Sequence, residues 1–577
     1  MRWEALLAKL PRPASRWVIL LSVVVLAAIA FLLRCLHLFD SNHYYIVSPD
    51  SYFFDWVAKG VMAGEPPSSS PGAAGPYTLH SGLAYPLAYI AKAVSSVFGL
   101  SSANALTLVG KFLPPLIGVI TMLLIYLFAA RIYNRCVGLA SAMAWALLSL
   151  PIFVGSAGFL DRDGLSVLLL AVGASLFYLS GVWHIKIRGR DVGWLIAGVG
   201  LLVIEVLLYL EWDFIGPALL LWIIAAYFVG RFLLGYYERA EAKPDAMHRV
   251  RGAISKVNWR TFALIVVANA LVAGLNFHLT VSWYHTAIGL VQGGAKSTIS
   301  IVSEAQGLGF GDLIGYQFFV IPMVLGLYVA WKKRAESSIF FSCWFIGLFV
   351  LAFFSRRILI LAAPAACLLS GVGLALLWDW VKHGAFRMFK WVGMAALGVF
   401  AILLSLSWAS SVSVQAVMSA DRGWQDALAY LRDETPADSV IMSQWSWGYW
   451  ILDLGQRRPV VDNGYYVWDS ERVGDVWLAY STTDPAEAAE MMKKYGADYL
   501  IFSQLDLGMS TNIRGLTNVG QGLANFPANS LIVRSLNGEF ESGSGLEVVY
   551  RSPPEPNSRF PSGLDVVILG LTQSGAP

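Results

Sequence analysis

The stretch Gln444 to Gly464, QWSWGYWILDLGQRRPVVDNG, sits just past the last of a long series of apolar segments. Trp445 and Trp447 flank Ser446 and run straight into Gly448, Tyr449 and Trp450. An aromatic cluster of this size buries a large area and lines a groove well. The plain alternative is a strand, a turn and a strand in an ordinary core, with Asp462, Asn463 and Gly464 as the next turn. Which of the two holds decides what the apolar part of the chain is for. A polar loop hung beside a helical bundle can hold a substrate against groups that the bundle presents.

The chain around this stretch is 577 residues long, 57% hydrophobic and only 14% charged. That is too apolar for a soluble globule and reads as a polytopic membrane protein. The net charge of +3 comes without a basic run suited to nucleic acid, so no nucleic-acid partner is expected. Cys35, Cys136, Cys343 and Cys367 lie in or beside apolar segments without metal-ligand spacing and read as small core hydrophobes. Arg2, Lys9, Arg12 and Arg16 precede a long apolar run with no clear cleavage site, which reads as a retained first span.

Apolar runs able to cross a bilayer fall at about 17–38, 106–131, 137–157, 164–184, 193–210, 213–236, 261–283, 314–331, 338–355, 357–381 and 389–410. These make about eleven spans, all helical because a chain in lipid must satisfy its backbone internally. Arg131 and Arg135, the run Lys186 to Arg190, the Arg249 to Arg260 cluster, Lys332 to Arg334, and Lys382 to Lys390 fall on one side of an alternating threading. That side is the cytoplasm, along with the N-terminus. The plasma (inner) membrane is the expected location, because the chain is compact and carries no evident retention signal. The threading puts about 39–105, 158–163, 211–213, 284–313 and everything after about 411 outside. The first outer loop includes an irregular Pro/Ser/Gly piece, Pro66 to Pro76.

Beyond about 411 the composition turns mixed and polar. Asp421 to Arg432 reads as an amphipathic helix, Ser439 to Met442 as a strand, Pro485 to Tyr495 as a helix and Asp498 to Phe502 as a buried strand. The expected division is a transmembrane domain over 1–410 and an extracytoplasmic α/β domain over 411–577.

Charge near a membrane needs a reason, and acidic residues gather at the outer mouth. Asp50 lies in VSPDSYFFDW, Asp161 and Asp163 in GFLDRDGLS, and Glu304 in TISIVSEAQG. Taken singly, Asp50 also reads as a helix start, the Asp161 and Asp163 pair as a solvated turn beside Arg162, and Glu304 as a polar loop residue. Together they suit a hard divalent cation such as Mn²⁺ or Mg²⁺, which takes several carboxylate oxygens from different segments. Gly307, Gly309 and Gly311 follow Glu304 and make its loop a candidate gate.

The pattern resembles the WWDYGYWI...DNG signature of the oligosaccharyltransferase catalytic subunits, with Trp445 on the second Trp, Gln444 in place of the first, Ser446 in place of the Asp and Trp447 in place of the Tyr. The acidic segments match that family in the same order, from Asp50 to the IVSEAQ loop, and RILILAAP places Arg357 on a membrane arginine of the family. The resemblance implies a GT-C type bundle of about eleven to thirteen helices and a single-subunit, monomeric enzyme of a bacterial or archaeal type. It implies transfer of a glycan, with inversion, from a polyprenyl diphosphate lipid to the asparagine amide of an Asn-x-Ser/Thr polypeptide. It further implies that Asp50, Asp161, Asp163 and Glu304 bind the metal and that Asp50 and Glu304 hold the acceptor amide. Gln444, Trp445, Ser446, Trp447 and Met509 would line the peptide, and Arg357 with Tyr449 the lipid diphosphate. Arg357 reads equally as a snorkelling span-end arginine beside Arg356. In the family, the residue at the position of Ser446 is an acid that accepts the sequon hydroxyl, so its replacement alters that contact. Rival readings are another polyprenyl-phosphate-sugar glycosyltransferase, of the protein O-mannosyltransferase or lipid A sugar transferase kind, and a transporter or export scaffold.

Overall fold

The computed structural model describes residues 16–39, 49–65, 82–148, 151–152, 155–160, 162–180, 320–333, 336–352, 358–383, 422–462, 470–509, 526–540, 545–552 and 566–572, with short pieces between 186 and 229 and residue 399. Its helices in the apolar part are α1 (Arg16–Cys35), α2 (Pro49–Ala63), α3 (Ala84–Phe98), α4 (Ser102–Ile132), α5 (Arg135–Leu147), α6 (Arg162–Ser180), α7 (Val320–Lys333), α8 (Glu336–Ala352) and α9 (Ile358–His383). Among the described residues three of these, α1, α4 and α9, are long and apolar enough to cross a membrane, and α5 to α8 contribute shorter apolar segments. The protein is a multi-pass membrane protein. The expected spans at 261–283 and 389–410 lie outside the described residues, apart from residue 399, and those at 193–210 and 213–236 largely so.

Local chemistry sets the helix ends. Ser101 caps α4 by accepting from Asn104 N at 3.2 Å, and Asn134 caps α5 by accepting from Val137 N at 2.9 Å. Where a span over 137–157 is expected, α5 stops at Leu147 and Leu148 turns extended. Pro151, Gly155 and Gly158 follow, and they break a helix whatever the hydropathy around them. Helices α2 and α3 occupy much of the connection after the first span. Helix α9 is the central post, packing on α5, α6, α7 and α8. A β-carbon at Gly373 would collide with the Pro322 carbonyl of α7, so α7 and α9 approach backbone to backbone, as small residues allow in lipid. Lys186–Ile187 (β1) and Arg190–Asp191 (β2) pair antiparallel within the basic segment.

The C-terminal part runs α10 (Arg422–Glu434), β3 (Val440–Met442), a 3-10 turn (Trp445–Trp447), α11 (Gly448–Asp453), β4 (Arg458–Pro459), α12 (Ser470–Ser481), α13 (Pro485–Lys494), β5 (Tyr499–Ser503), α14 (Gln504–Met509), α15 (Leu531–Leu536), β6 (Leu546–Arg551) and β7 (Val566–Leu571). The sheet order is β4-β3-β5-β7-β6, with β3 parallel to β4 and β5, and β7 antiparallel to β5 and β6. The aromatic stretch is therefore helical, not strand-turn-strand. Side chains alternate across the sheet as the pleat demands. Val440, Met442, Leu500, Phe502, Val567 and Leu569 face α12, α13 and α15. Ile441, Ile501, Val566 and Ile568 belong to a second core with Trp424, Trp447 and Trp450, which also takes in Tyr52, Phe53 and Val57 of α2, Leu87 of α3 and Leu106 of α4. The apolar core thus continues across the boundary expected near 411.

Gly448 starts α11 against the backbone that follows β4. A β-carbon there would lie 2.5 Å from Asp462 Cα and from Val461 O, so only glycine fits this approach. Gly448→Ala is expected to destabilise the C-terminal part by about 1–3 kcal/mol through forced separation of these backbones, seen as a lowered unfolding temperature of the purified protein.

Candidate functional site

The 3-10 turn places the aromatic motif on a ring of hydrogen bonds. Gln444 is 2% exposed. Its Oε1 accepts from Ser446 N at 2.7 Å, and its Nε2 donates to Ser446 Oγ at 3.0 Å. Gln444 N donates to the Tyr480 hydroxyl at 2.8 Å, which in turn donates to Ile501 O at 2.6 Å. Burial, and then Asp506, hold the Tyr480 phenol well above its ordinary range, so it remains a donor. Gln444 therefore organises the turn from inside, and Ser446, itself buried, keeps its hydroxyl proton while accepting from Gln444.

The three indoles of the motif have different surroundings. Trp447 and Trp450 are fully buried, with ring centroids 4.6 Å apart, and Trp424 of α10 completes the group at 5.2 and 5.3 Å. Trp445 keeps partial exposure and packs on the edge of the outer core. Trp447 thus supports the motif from behind, and Trp445 is the indole with surface to offer a ligand. Tyr449 is 6% exposed and its ring lies 4.9 Å from that of Phe53 on α2, while Trp450 meets Tyr52 at 6.1 Å.

Asp506 opens DLGM, the segment that ends in Met509 and that the resemblance to oligosaccharyltransferases places beside the acceptor peptide. Its Oδ1 accepts from Trp447 Nε1 at 2.8 Å, and its Oδ2 accepts from Ser503 N at 2.7 Å and Ser503 Oγ at 3.3 Å. Burial pushes its carboxyl up to about 7, against the pull of the Trp447 and Ser503 donors. The signal that would have found it is a lone acid directly after an apolar strand. Met509 ends the same helix, and its side chain lies outside the described residues.

Asp50 lies in the first turn of α2 and Asp163 in the first turn of α6, where the helix dipole favours an anion. Asp163 is buried and helical rather than part of a loop. Leu160, just before α6, shares the core that holds Tyr52 and Phe53, so both helix starts border one cluster. Asp161, Glu304 and Arg357 lie outside the described residues, and among the described residues no three His, Cys, Asp or Glu side chains group closely enough for a metal.

Arg34 is a further buried charge that hydropathy alone hides within the first span. It is 0% exposed, and its Nη1 donates to Ala30 O at 2.8 Å and its Nη2 to Pro151 O at 3.3 Å. Its own carbonyl accepts from Ala157 N at 2.8 Å. A β-carbon at Gly155 would press within 2.8 Å of its Nε, so that glycine makes room for the guanidinium. Arg34 straps the segment that leads to Asp161 and Asp163.

No family model matches the chain. Dolichyl-phosphooligosaccharide-protein glycotransferase 1 of Archaeoglobus fulgidus is 22% identical over 550 residues, covering 84% of this chain and 87% of that one. Its namesake in Pyrococcus furiosus is 24% identical over 535 residues, 79% of this chain and 54% of that protein. The chain's relatives are oligosaccharyltransferases. It spans about a third to a half of the length of the first of them, 34% for the rice glycosyltransferase subunit STT3B. The archaeal oligosaccharyltransferase AglB from Archaeoglobus fulgidus, solved with an inhibitory peptide and a dolichol-phosphate, superposes with a TM-score of 0.70 at 14% identity, over 94% of this chain and 80% of that one. Another structure of that oligosaccharyltransferase holds zinc and sulfate. At this identity the likeness shows the fold, a GT-C type helical bundle with a mixed α/β domain at its C-terminal end.

The titration of Asp506 gives a signed expectation. Its carboxyl stands near 7 when folded against an ordinary 3.8, so between those values the folded chain holds the extra proton. The stability it contributes is complete below about 3.8 and is lost as pH rises through about 7. Unfolding temperature should fall over this window, and Asp506→Asn should flatten that fall in thermal melts collected from pH 4 to pH 8. Asp506→Ala, which orphans the Trp447 and Ser503 donors, should cost about 2–6 kcal/mol at any pH.

Proposed function

We propose that this chain transfers a glycan from a polyprenyl diphosphate lipid to the side-chain amide of asparagine in an Asn-x-Ser/Thr polypeptide. The observation that carries this reading is the seating of the QWSWGYW segment on α2, the helix whose first turn holds Asp50. A peptide gripped near Trp445 then lies beside the acids of the bundle. The relatives' names and the peptide and dolichol-phosphate in the AglB structure support the same reaction.

A carboxamide nitrogen is a poor nucleophile because its lone pair is delocalised into the carbonyl. Asp50 and Glu304, by accepting both amide hydrogens, weaken that conjugation and aim the nitrogen at the anomeric carbon. Attack opposite the diphosphate forms the nitrogen–carbon bond as the carbon–oxygen bond to the lipid diphosphate breaks, which inverts that carbon, and one amide proton passes to the Asp50 or Glu304 carboxylate. Asp50 and Asp163 offer oxygen ligands from two helix starts, which suits a hard divalent cation, and zinc occurs in a related structure. Asp50, Asp161, Asp163 and Glu304 would hold Mn²⁺ or Mg²⁺, which when bound supplies charge to neutralise the leaving diphosphate. Arg357 adds to that neutralisation, and Tyr449 is assigned to the lipid diphosphate with it.

Trp445 supplies apolar surface to the peptide, and holding it there turns an encounter into a positioned reaction. Ser446 and Gln444 form the hydrogen-bonded turn beneath it. The active face opens to the outer side of the membrane, away from the basic loops, and the enzyme works as a single subunit.

Asp50→Asn and Glu304→Gln should each lower transfer about 10²-fold or more, followed by mass spectrometry of an Asn-x-Thr peptide incubated with purified protein, lipid-linked donor and Mn²⁺. Full activity in either variant would refute the assigned roles. Ser446→Ala reads out hydroxyl recognition: loss of the preference for Ser/Thr peptides assigns it to Ser446, and an unchanged preference assigns it to another group.

A further inference from the structure

Lys59, Asp55 and Asp453 form a cluster that the reaction as described does not use. Lys59 and Asp55 lie one turn apart on α2, and Asp453 ends α11. Lys59 Nζ stands 2.9 Å from Asp55 Oδ2 and 2.7 Å from Asp453 Oδ1. The Asp55 and Asp453 side chains are 0% and 1% exposed, while that of Lys59 is 46% exposed. The acids are sealed between the two helices, and solvent reaches the lysine alone.

Two enclosed acids and one ammonium leave a negative excess. Burial, and then the charge of Asp55, hold the Asp453 carboxyl well above the usual carboxylate range. Burial opposes the Lys59 ammonium, but the two carboxylates outweigh it and keep it charged. Removing the ammonium would leave two buried acids facing each other, a costly arrangement. The cluster also has a directional consequence. Helix α2 carries Asp50 at its start, and α11 begins directly after the Gln444 to Trp447 turn. A bridge between them fixes the distance from the peptide-gripping turn to the acid that meets the amide.

We propose that Lys59, by bridging Asp55 and Asp453, is a positioning residue that sets the register between the helix bearing Asp50 and the Gln444 to Ser446 turn, so that a peptide held by one reaches the other. This rests on the transferase reading above. An acceptor peptide must engage both elements at once, whereas the lipid donor lies against the bundle. Disturbing the bridge therefore falls on the acceptor.

The test uses the full chain, a lipid-linked oligosaccharide and a fluorescent Asn-x-Thr peptide. Lys59→Met is expected to raise the acceptor KM about tenfold while the donor KM stays within about twofold. Lys59→Arg should restore most of the loss. In parallel, spin labels carried by unnatural residues at the exposed positions Glu65 and Arg458 should give one narrow distance in the parent and a broadened distribution in Lys59→Met. An unchanged acceptor KM, or acceptor and donor KM rising together with unchanged label distances, overturns the proposal. If the parent itself transfers nothing to any Asn-x-Ser/Thr peptide, the transferase reading has failed, and the label distances alone decide whether Lys59 sets the register. If Lys59→Met does not accumulate as folded protein, Lys59→Gln is carried through the same measurements.

Discussion

The structure depends on one apolar contact zone, in which Trp424, Trp447 and Trp450 pack together and meet Tyr52 and Phe53 of α2. Indoles contribute large apolar area with few rotatable bonds, so this zone seals the C-terminal sheet to α2 and α3 at low entropic cost. It also explains why α11 and the turn before it are helical. A strand over Trp445 to Trp450 would send Trp447 and Trp450 to opposite faces, whereas helical spacing puts both in one core.

Around this zone the polar groups are placed where burial makes them consequential. Asp506 holds the Trp447 indole from behind, and the Gln444 amide closes on Ser446 from beside it. The surface left to a ligand is then Trp445 and whatever the neighbouring segments contribute. At the other edge, Lys59 joins α2 to α11 through two sealed carboxylates. Rigid supports of this kind are what a held reaction needs, since small displacements of a positioned group cost rate steeply.

The resemblance to oligosaccharyltransferases, read from QWSWGYWI and the order of the acidic segments, is borne out by the chain's relatives and by the fold it shares with AglB. The departures within the motif have local physical meaning. With Gln444 and Ser446 in place of a tryptophan and an acid, the turn satisfies its own hydrogen bonds. The Ser446 hydroxyl is buried within it.

Hydropathy sufficed to place α1, α4 and α9, because twenty apolar residues in lipid have no choice but to be helical. Short continuous apolar runs likewise revealed β3 and β5, since a strand with both faces buried tolerates few polar residues. Periodicity missed the early end of α5 because hydropathy averages over Pro151 and its neighbouring glycines, which act through backbone geometry. Composition likewise said nothing of Asp506 beneath Trp447, or of Lys59 against Asp453 across 394 positions. Those pairings depend on which helix faces which sheet, and that is settled only when distant segments compete to bury the same apolar surface.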